Sequence, residues 1–211
     1  MNKLLVVILA VISAVIGAFV YQSQMANQQP EHALLYKTPR TIPNFVLTDH
    51  MGNDFSNEQL KGKWTLFFIG YTSCPDICPV TLQELNYIYP QLQEITNNQT
   101  QIALVTADPK RDTVKRLNSY IRYFNEEFLA VRAEHDVLFP FARSLGLMYA
   151  ITEDTDQEYY LVNHSASIIL TNPNGQIQAI FKPVQQDETS IPSIDSELML
   201  KDFKTIFNAV N

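Results

Sequence analysis

Cysteine is scarce in this chain of 211 residues, which contains two, Cys74 and Cys78. Two cysteines are too few for a disulfide framework, so a bond between them is better explained as reversible or metal-linked than as a general staple. The sequence also lacks a nucleophile elbow, a glycine loop for phosphate and a His-Glu-x-x-His motif. Hydrolase, kinase and nucleotide-binding functions therefore have no support in the sequence.

Positive charge is scarce as well, with 15 Lys and Arg against 22 Asp and Glu and a formal net charge of -7. This balance argues against nucleic acid or an anionic membrane surface as the partner. The 6 glycines and 11 prolines are too few to indicate disorder, and the 46% hydrophobic content fits a packed globular protein. The length allows one membrane segment and one domain with a full core.

A long apolar run lies near the N-terminus, from Leu4 to Tyr21 after Lys3. It is at the short end of a membrane span, for which about 20 residues are typical. By the positive-inside rule, Lys3 places the N-terminus in the cytoplasm, so the rest of the chain is exported. A cleaved signal peptide is the alternative, but bulky residues end the run where small ones would mark a cleavage site. We expect an uncleaved transmembrane anchor at residues 1–21.

The composition changes twice after this run. Residues 22–38 are polar and glutamine-rich, which is typical of a tether. Residues 39–211 alternate apolar strand patterns with amphipathic helix patterns, which implies parallel pairing with right-handed crossovers. Turn signals at residues 49–53 and 172–175 add two antiparallel hairpins. The prediction is an α/β fold with a mixed sheet flanked by helices, in the strand, cysteine turn, helix and strand layout of a thioredoxin-like domain.

The two cysteines lie where the buried strand pattern 64–69 gives way to a helix pattern. Unpaired N–H groups and the macrodipole at a helix N-terminus lower the pKa of a nearby thiol. Four residues apart, Cys74 and Cys78 have Cβ atoms roughly 5–6 Å apart in helical geometry, close enough to share one ion. A disulfide is also within reach. A thioredoxin motif has one residue fewer between its cysteines, so this spacing favours metal binding; a structural disulfide or two inert thiols remain alternatives.

Two thiolates narrow the choice of metal. Soft thiolates select Cu(I), zinc or an iron-sulfur cluster, and a cluster usually needs four cysteines. A structural zinc site needs two further ligands, whereas Cu(I) accepts a total of three. The candidates for a third ligand are His32, His50, His135 and His164.

The four histidines differ in their surroundings. His32 in the tether and His50 at a hairpin tip are expected to be solvated, and His135 at a helix start is expected to cap the helix or lie at the surface. His164 interrupts two apolar strand patterns with a short polar segment, where functional side chains are often mounted. A plain surface or hydrogen-bonding role is an equal alternative for His164.

Two aspartates follow the second buried strand. Asp108 lies at the sheet edge that also carries the cysteines, so it is a candidate to act near them, or to cap the turn that contains Pro109. Asp112 is the expected N-cap of the next helix.

Three separated motifs occur in one order along the chain: Gly-Tyr-Thr-Ser-Cys-Pro-Asp-Ile-Cys-Pro at residues 70–79, Asp-Pro-Lys-Arg-Asp-Thr at 108–113, and Asn-His-Ser at 163–165 before Asn-Pro-Asn-Gly at 172–175. In these motifs the chain resembles the Sco/SenC family, roughly from Pro39 to Phe181 and in its N-terminal anchor. Members of that family are membrane-anchored, thioredoxin-like copper proteins that assist assembly of the CuA centre of cytochrome c oxidase.

The resemblance implies that Cys74, Cys78 and His164 bind one copper ion, as Cu(I) or Cu(II). It implies a metallochaperone rather than an enzyme, which delivers copper to the copper-bearing subunit of cytochrome c oxidase and works with a copper donor protein and a thiol reductant. The implied location is a bacterial inner membrane, with the soluble domain in the periplasm. Asn163 replaces the aspartate common in the family and so removes a negative charge beside the site. The alternative is a thiol-disulfide oxidoreductase or redox sensor that uses Cys74 and Cys78.

Overall fold

A computed structural model describes residues 3–26, 29–157, 159–185 and 192–210. The helices are α1 (Lys3–Ala26), α2 (Ile77–Thr96), α3 (Val114–Phe124), α4 (His135–Leu145) and α5 (Ser196–Val210), with a short 3₁₀ helix at Asn57–Leu60. The strands are β1 (Leu34–Thr41), β2 (Val46–Asp49), β3 (Asp54–Ser56), β4 (Trp64–Gly70), β5 (Thr100–Thr106), β6 (Leu129–Arg132), β7 (Tyr149–Ile151), β8 (Val162–His164), β9 (Ile168–Thr171) and β10 (Gln176–Phe181).

The main sheet has eight strands in the order β1-β10-β9-β4-β5-β6-β2-β3. β4, β5 and β6 pair in parallel, and the outer strands pair antiparallel. β2–β3 and β9–β10 are the two predicted hairpins. β7 and β8 form a separate two-stranded antiparallel ribbon. The prediction of a mixed sheet flanked by helices is confirmed.

The central strand β4 is buried along its whole length because helices cover both faces of the sheet. Side chains alternate between the faces of a strand. Phe67 and Ile69 therefore join the cluster that contains Phe141 of α4, while Leu66 and Phe68 join the cluster packed by α2, α3 and α5. The end of β4 is thus a rigid platform for the loop that carries the cysteines.

The N-terminal part of the chain is tied to the domain earlier than the sequence suggested. β1 begins at Leu34, inside the segment predicted as a tether, and pairs with β10. Just before it, the buried Asp202 carboxylate of α5 accepts the backbone N–H groups of Glu31, His32 and Ala33 at 2.7–2.8 Å. The domain boundary at residue 39 stays a prediction, although sheet pairing starts before it.

The predicted anchor and tether each include residues outside the described part, namely 1–2 and 27–28. In the described part of the chain, no helix combines the length and the hydropathy that crossing a membrane requires.

Candidate metal centre

The cysteines lie where the chain passes from β4 into α2. Cys78 is in the first turn of α2 and is 1% exposed, while Cys74 precedes the helix and is half-buried. Both are free thiols. Behind them, Gly70 ends β4, and a Cβ atom on this glycine would lie 2.6 Å from Cys78 Sγ. Cys78 therefore occupies space that only a glycine at position 70 leaves open.

Asp112 holds the first part of this loop from behind. Its buried carboxylate accepts the Thr72 N–H at 3.1 Å, the Thr72 hydroxyl at 2.5 Å and the Thr106 hydroxyl at 2.6 Å. Burial raises the pKa of Asp112, and the bonds from the two threonines oppose that shift. The prediction of Asp112 as a helix N-cap is wrong: Thr113 caps α3 and accepts the Arg116 N–H at 3.2 Å. Asp112 instead joins the cysteine loop to the end of β5.

His164 approaches the cysteines from the β7–β8 ribbon, where it pairs with Tyr149. Its Nδ1 lies 3.1 Å from the Ser165 carbonyl oxygen, which can only accept, so Nδ1 carries a proton and Nε2 is the ring nitrogen that faces the sulfurs. Nε2 lies 3.4 Å from Cys78 Sγ and 3.9 Å from Cys74 Sγ. The three predicted ligand atoms lie within 4.8 Å of one another.

The two thiols differ in protonation. A hydrogen bond from Cys78, with smaller contributions from His164 and from the N–H groups of Cys78 and Asp76, lowers the pKa of Cys74 to about 3. These N–H groups lie at the start of α2, as the sequence predicted for the cysteines. The interaction with Cys74, together with burial, raises the pKa of Cys78. Near neutral pH, Cys74 is therefore a partly accessible thiolate that accepts a hydrogen bond from the buried Cys78 thiol.

The remaining histidines lie away from the sulfurs. His32 is exposed, as predicted. The prediction of a solvated His50 is wrong: it is 4% exposed, it accepts the Ala130 N–H at 3.4 Å, and burial lowers its pKa. His135 is the first residue of α4 and is exposed, so it lies at the surface as one of the two predictions required, and its Nδ1 lies 2.7 Å from the Tyr149 hydroxyl. Among described residues, only Cys74, Cys78 and His164 form a group of three suited to a metal.

Asp108 is fully buried. It accepts the Arg111 N–H at 3.4 Å, which closes the turn as one of the two predictions required. Its carboxylate also pairs with the Arg111 guanidinium and accepts the Tyr160 hydroxyl at 2.7 Å. The contact to Tyr160 was not predicted, because partners 52 residues apart leave no periodic pattern in a sequence.

A sheet of this order, with a cysteine-bearing loop between a parallel strand and a helix, defines the class of thioredoxin-like α/β domains. The SCO1/SenC family model matches residues 35–199 of the chain. The chain belongs to the SCO1/SenC family. Its Asn163, the departure noted in the sequence, is exposed and pairs with Ala150, so by strand alternation it faces the side of the ribbon opposite His164.

Similar proteins include a protein of Stutzerimonas stutzeri that is 37% identical, over 74% of this chain and 76% of that one. A mitochondrial SCO2 homologue of Bos taurus is 28% identical, over 82% of this chain but 65% of its own length. Among solved structures, Arabidopsis thaliana ScoI with copper bound has a TM-score of 0.67 and 26% identity, over 79% of this chain and 98% of that one. Yeast Sco1 with copper bound has a TM-score of 0.66 and 25% identity, over 78% and 87%.

Proposed function

We propose that this protein is a copper metallochaperone that holds one copper ion between Cys74, Cys78 and His164 and delivers it to the CuA site during cytochrome c oxidase assembly. The observation that carries the proposal is the meeting of two sulfur atoms and one imidazole nitrogen within 4.8 Å. The copper-bound ScoI of Arabidopsis thaliana and Sco1 of yeast support copper as the metal.

The donor set suits copper. Ligand bonds to sulfur and nitrogen are about 2.0–2.3 Å long, so ligands on a shared ion lie roughly 3.5–4 Å apart. The Nε2–Sγ distances of 3.4 and 3.9 Å match this separation. Cu(I) accepts three soft ligands, whereas structural zinc takes four. In the described part of the chain, no fourth histidine, cysteine or carboxylate joins the group.

The accessible side of the site allows transfer by ligand exchange. Cys74 is half-buried, and the adjacent Ser73 and Pro75 line a groove of about 690 Å³ together with Leu161 from the segment that leads to β8. An incoming thiolate from the acceptor can bond to copper from this side as the bond to Cys74 breaks. Copper then passes between proteins without release into water. Oxidation of the two cysteines to a disulfide removes two ligands, so loading requires a thiol reductant.

The cellular setting belongs to the same proposal. The apolar run Leu4–Tyr21 supports a single-pass anchor at residues 1–21 in a bacterial inner membrane, followed by a tether at 22–38 and a copper-binding domain at 39–211 in the periplasm. The proposed partners are a copper donor protein, a thiol reductant and the copper-bearing subunit of the oxidase.

Copper titration of the full chain tests the ligand set. The reduced protein is titrated with Cu(I) and with Cu(II), alongside Cys74→Ser, Cys78→Ser and His164→Ala, with His32→Ala as the exposed-histidine control. We expect one copper per chain for wild type and control. Loss of a ligand should weaken binding by more than about a hundredfold, since losing even an outer partner of a ligand costs about 10–100-fold. Unchanged stoichiometry in Cys74→Ser and His164→Ala would reject the assignment.

A second candidate function is thiol-disulfide exchange or redox sensing by the same cysteines. Two free thiols and the lowered pKa of Cys74 favour it, because the thiolate is the attacking species. Disulfide reduction by the metal-free protein separates the two functions. If exchange is the main activity, His164→Ala retains the wild-type rate and no copper is needed.

A further inference from the structure

The ribbon that carries His164 needs support from outside the main sheet. Among the described strands, β7 and β8 pair only with each other, whereas the cysteines follow directly from the central strand. A two-stranded ribbon alone is at best marginally stable in water. Contacts outside the ribbon ladder must therefore fix the imidazole beside the sulfurs.

Such contacts meet at Tyr160, two residues before β8. Its hydroxyl donates to Asp108 at 2.7 Å, and its carbonyl oxygen accepts from Arg111 Nη2 at 3.0 Å. The Arg111 guanidinium lies 3.5 Å from the centre of the Tyr160 ring. Arg111 also pairs with the fully buried Asp108. The loop after β5 therefore contacts the ring, the hydroxyl and the backbone carbonyl of Tyr160.

A second tyrosine connects these contacts to the imidazole of His164. Tyr71 follows β4 and contacts the Arg111 guanidinium at 5.5 Å from its ring centre. Its hydroxyl accepts the Val162 N–H at 3.3 Å, and its ring meets the His164 ring edge to face at 5.9 Å. Arg111 thus touches both tyrosines that border the segment from residue 160 to His164.

We propose that Asp108, Arg111 and Tyr160 form a latch that positions His164 over the two sulfurs and so sets how firmly the protein holds copper. The proposal rests on the function proposed above and assigns a positioning role to the Asp-Pro-Lys-Arg-Asp-Thr motif. With the latch closed, Nε2 stays within reach of both sulfurs. When the latch is weakened, the ribbon moves more freely. The bond from His164 Nε2 to copper then breaks more often, and copper dissociates faster.

Tyr160→Phe tests the latch most cleanly, because it removes one hydroxyl and keeps the ring beneath Arg111. Tyr159→Phe is the matched control, since it makes the same change on a neighbouring side chain that is 81% exposed. The first measurement is amide hydrogen exchange in the copper-free full chain. A lost hydrogen bond to a charged group should speed exchange at Val162 and His164 by about tenfold or more, with no change in β4.

The second measurement follows transfer of copper from the loaded protein to a competing chelator. We expect Tyr160→Phe to lose copper about tenfold faster, in line with one hydrogen bond to a charged group, and Tyr159→Phe to match wild type. Arg111→Lys keeps a charge beside Asp108 but loses the planar guanidinium, so it should loosen the ribbon as well. Arg111→Lys replaces Tyr160→Phe in both measurements if circular dichroism shows that Tyr160→Phe does not fold.

The outcomes separate the latch from the proposed function. Wild-type exchange at Val162 and His164 in a folded latch variant would overturn the latch, whatever the copper data show. Faster exchange with an unchanged rate of copper loss would overturn its role in holding copper. If His164→Ala binds copper like wild type, the ligand assignment fails instead, and the exchange data still report whether Tyr160 fixes the ribbon.

Discussion

The cysteine loop and the β7–β8 ribbon bring their ligands to one point by different means. The loop continues the central strand, and α2, Gly70 and Asp112 confine it by backbone geometry and a buried carboxylate. Within the described residues, the ribbon pairs with no strand of the main sheet, and side chains from other segments hold it.

This difference indicates that the two regions supply ligands of different rigidity. The cysteines provide a fixed pair of sulfurs whose spacing is set by the fold. The histidine provides a ligand whose position depends on polar contacts from the loop after β5 and on the packing of Tyr160 and Val162 in the core cluster. A carrier that must bind copper and also give it up needs both kinds of ligand.

Gly70→Ala should damage the rigid cysteine loop more than any other change considered for either region. The new Cβ would lie 2.6 Å from Cys78 Sγ and 3.1 Å from Leu104 Cδ1, both in the core. Overpacking of this kind costs about 1–3 kcal/mol and would displace the Cys78 sulfur. We expect reduced stability in chemical denaturation together with loss of stoichiometric copper binding.

Gly17→Ala is the control for this change, because a Cβ there meets no atom within 4 Å. Wild-type copper affinity in a folded Gly70→Ala variant would mean that the cysteine loop is less confined than its surroundings indicate.

The pH dependence of Cys74 alkylation tests how much the cysteine loop and the ribbon each contribute to the Cys74 thiolate. The pKa of Cys74 is lowered to about 3, first by Cys78 and then by His164. A thiolate persists above its pKa, so alkylation by iodoacetamide should be fast and nearly independent of pH between about 5 and 8. In His164→Ala the pKa rises, and the alkylation rate should begin to fall at a higher pH than in wild type.

Mass spectrometry assigns the modified cysteine. Cys74 should react first, because the pKa of Cys78 is raised and Cys78 is buried. A wild-type rate that rises about tenfold per pH unit between about pH 6 and 8 would contradict the thiolate, since that slope belongs to an ordinary thiol.

The rigid region could be predicted from the sequence because its determinants are local. An apolar strand pattern, a turn with two cysteines and an amphipathic helix follow one another within residues 64–92, and β4 and α2 occupy that order. The Asn-Pro-Asn-Gly turn likewise predicts the β9–β10 hairpin, because its signal is local in the sequence.

The supports of the site could not be predicted in this way. Asp112 and Asp108 act on Thr72 and Tyr160, which are 40 and 52 residues away. Their roles depend on which segments the fold brings together, and a single sequence shows only that an aspartate follows a strand. The first residues of β1 are predicted as tether because the surrounding segment is polar, glutamine-rich and contains proline, and an edge strand tolerates proline.

Lys110→Ala should change copper binding least, because it removes only exposed contacts to the segment between β7 and β8. Lys110 Nζ donates to the Thr155 carbonyl and to Asp156, each at 2.8 Å, and thereby lowers the pKa of Asp156. The pair is exposed to solvent, where water and salt screen it, so copper loss should change by less than about threefold. That change should vanish at about 1 M salt, where the screening length is about 3 Å. If Lys110→Ala released copper as fast as Tyr160→Phe, the ribbon would be held by surface charge rather than by the buried contacts at Asp108.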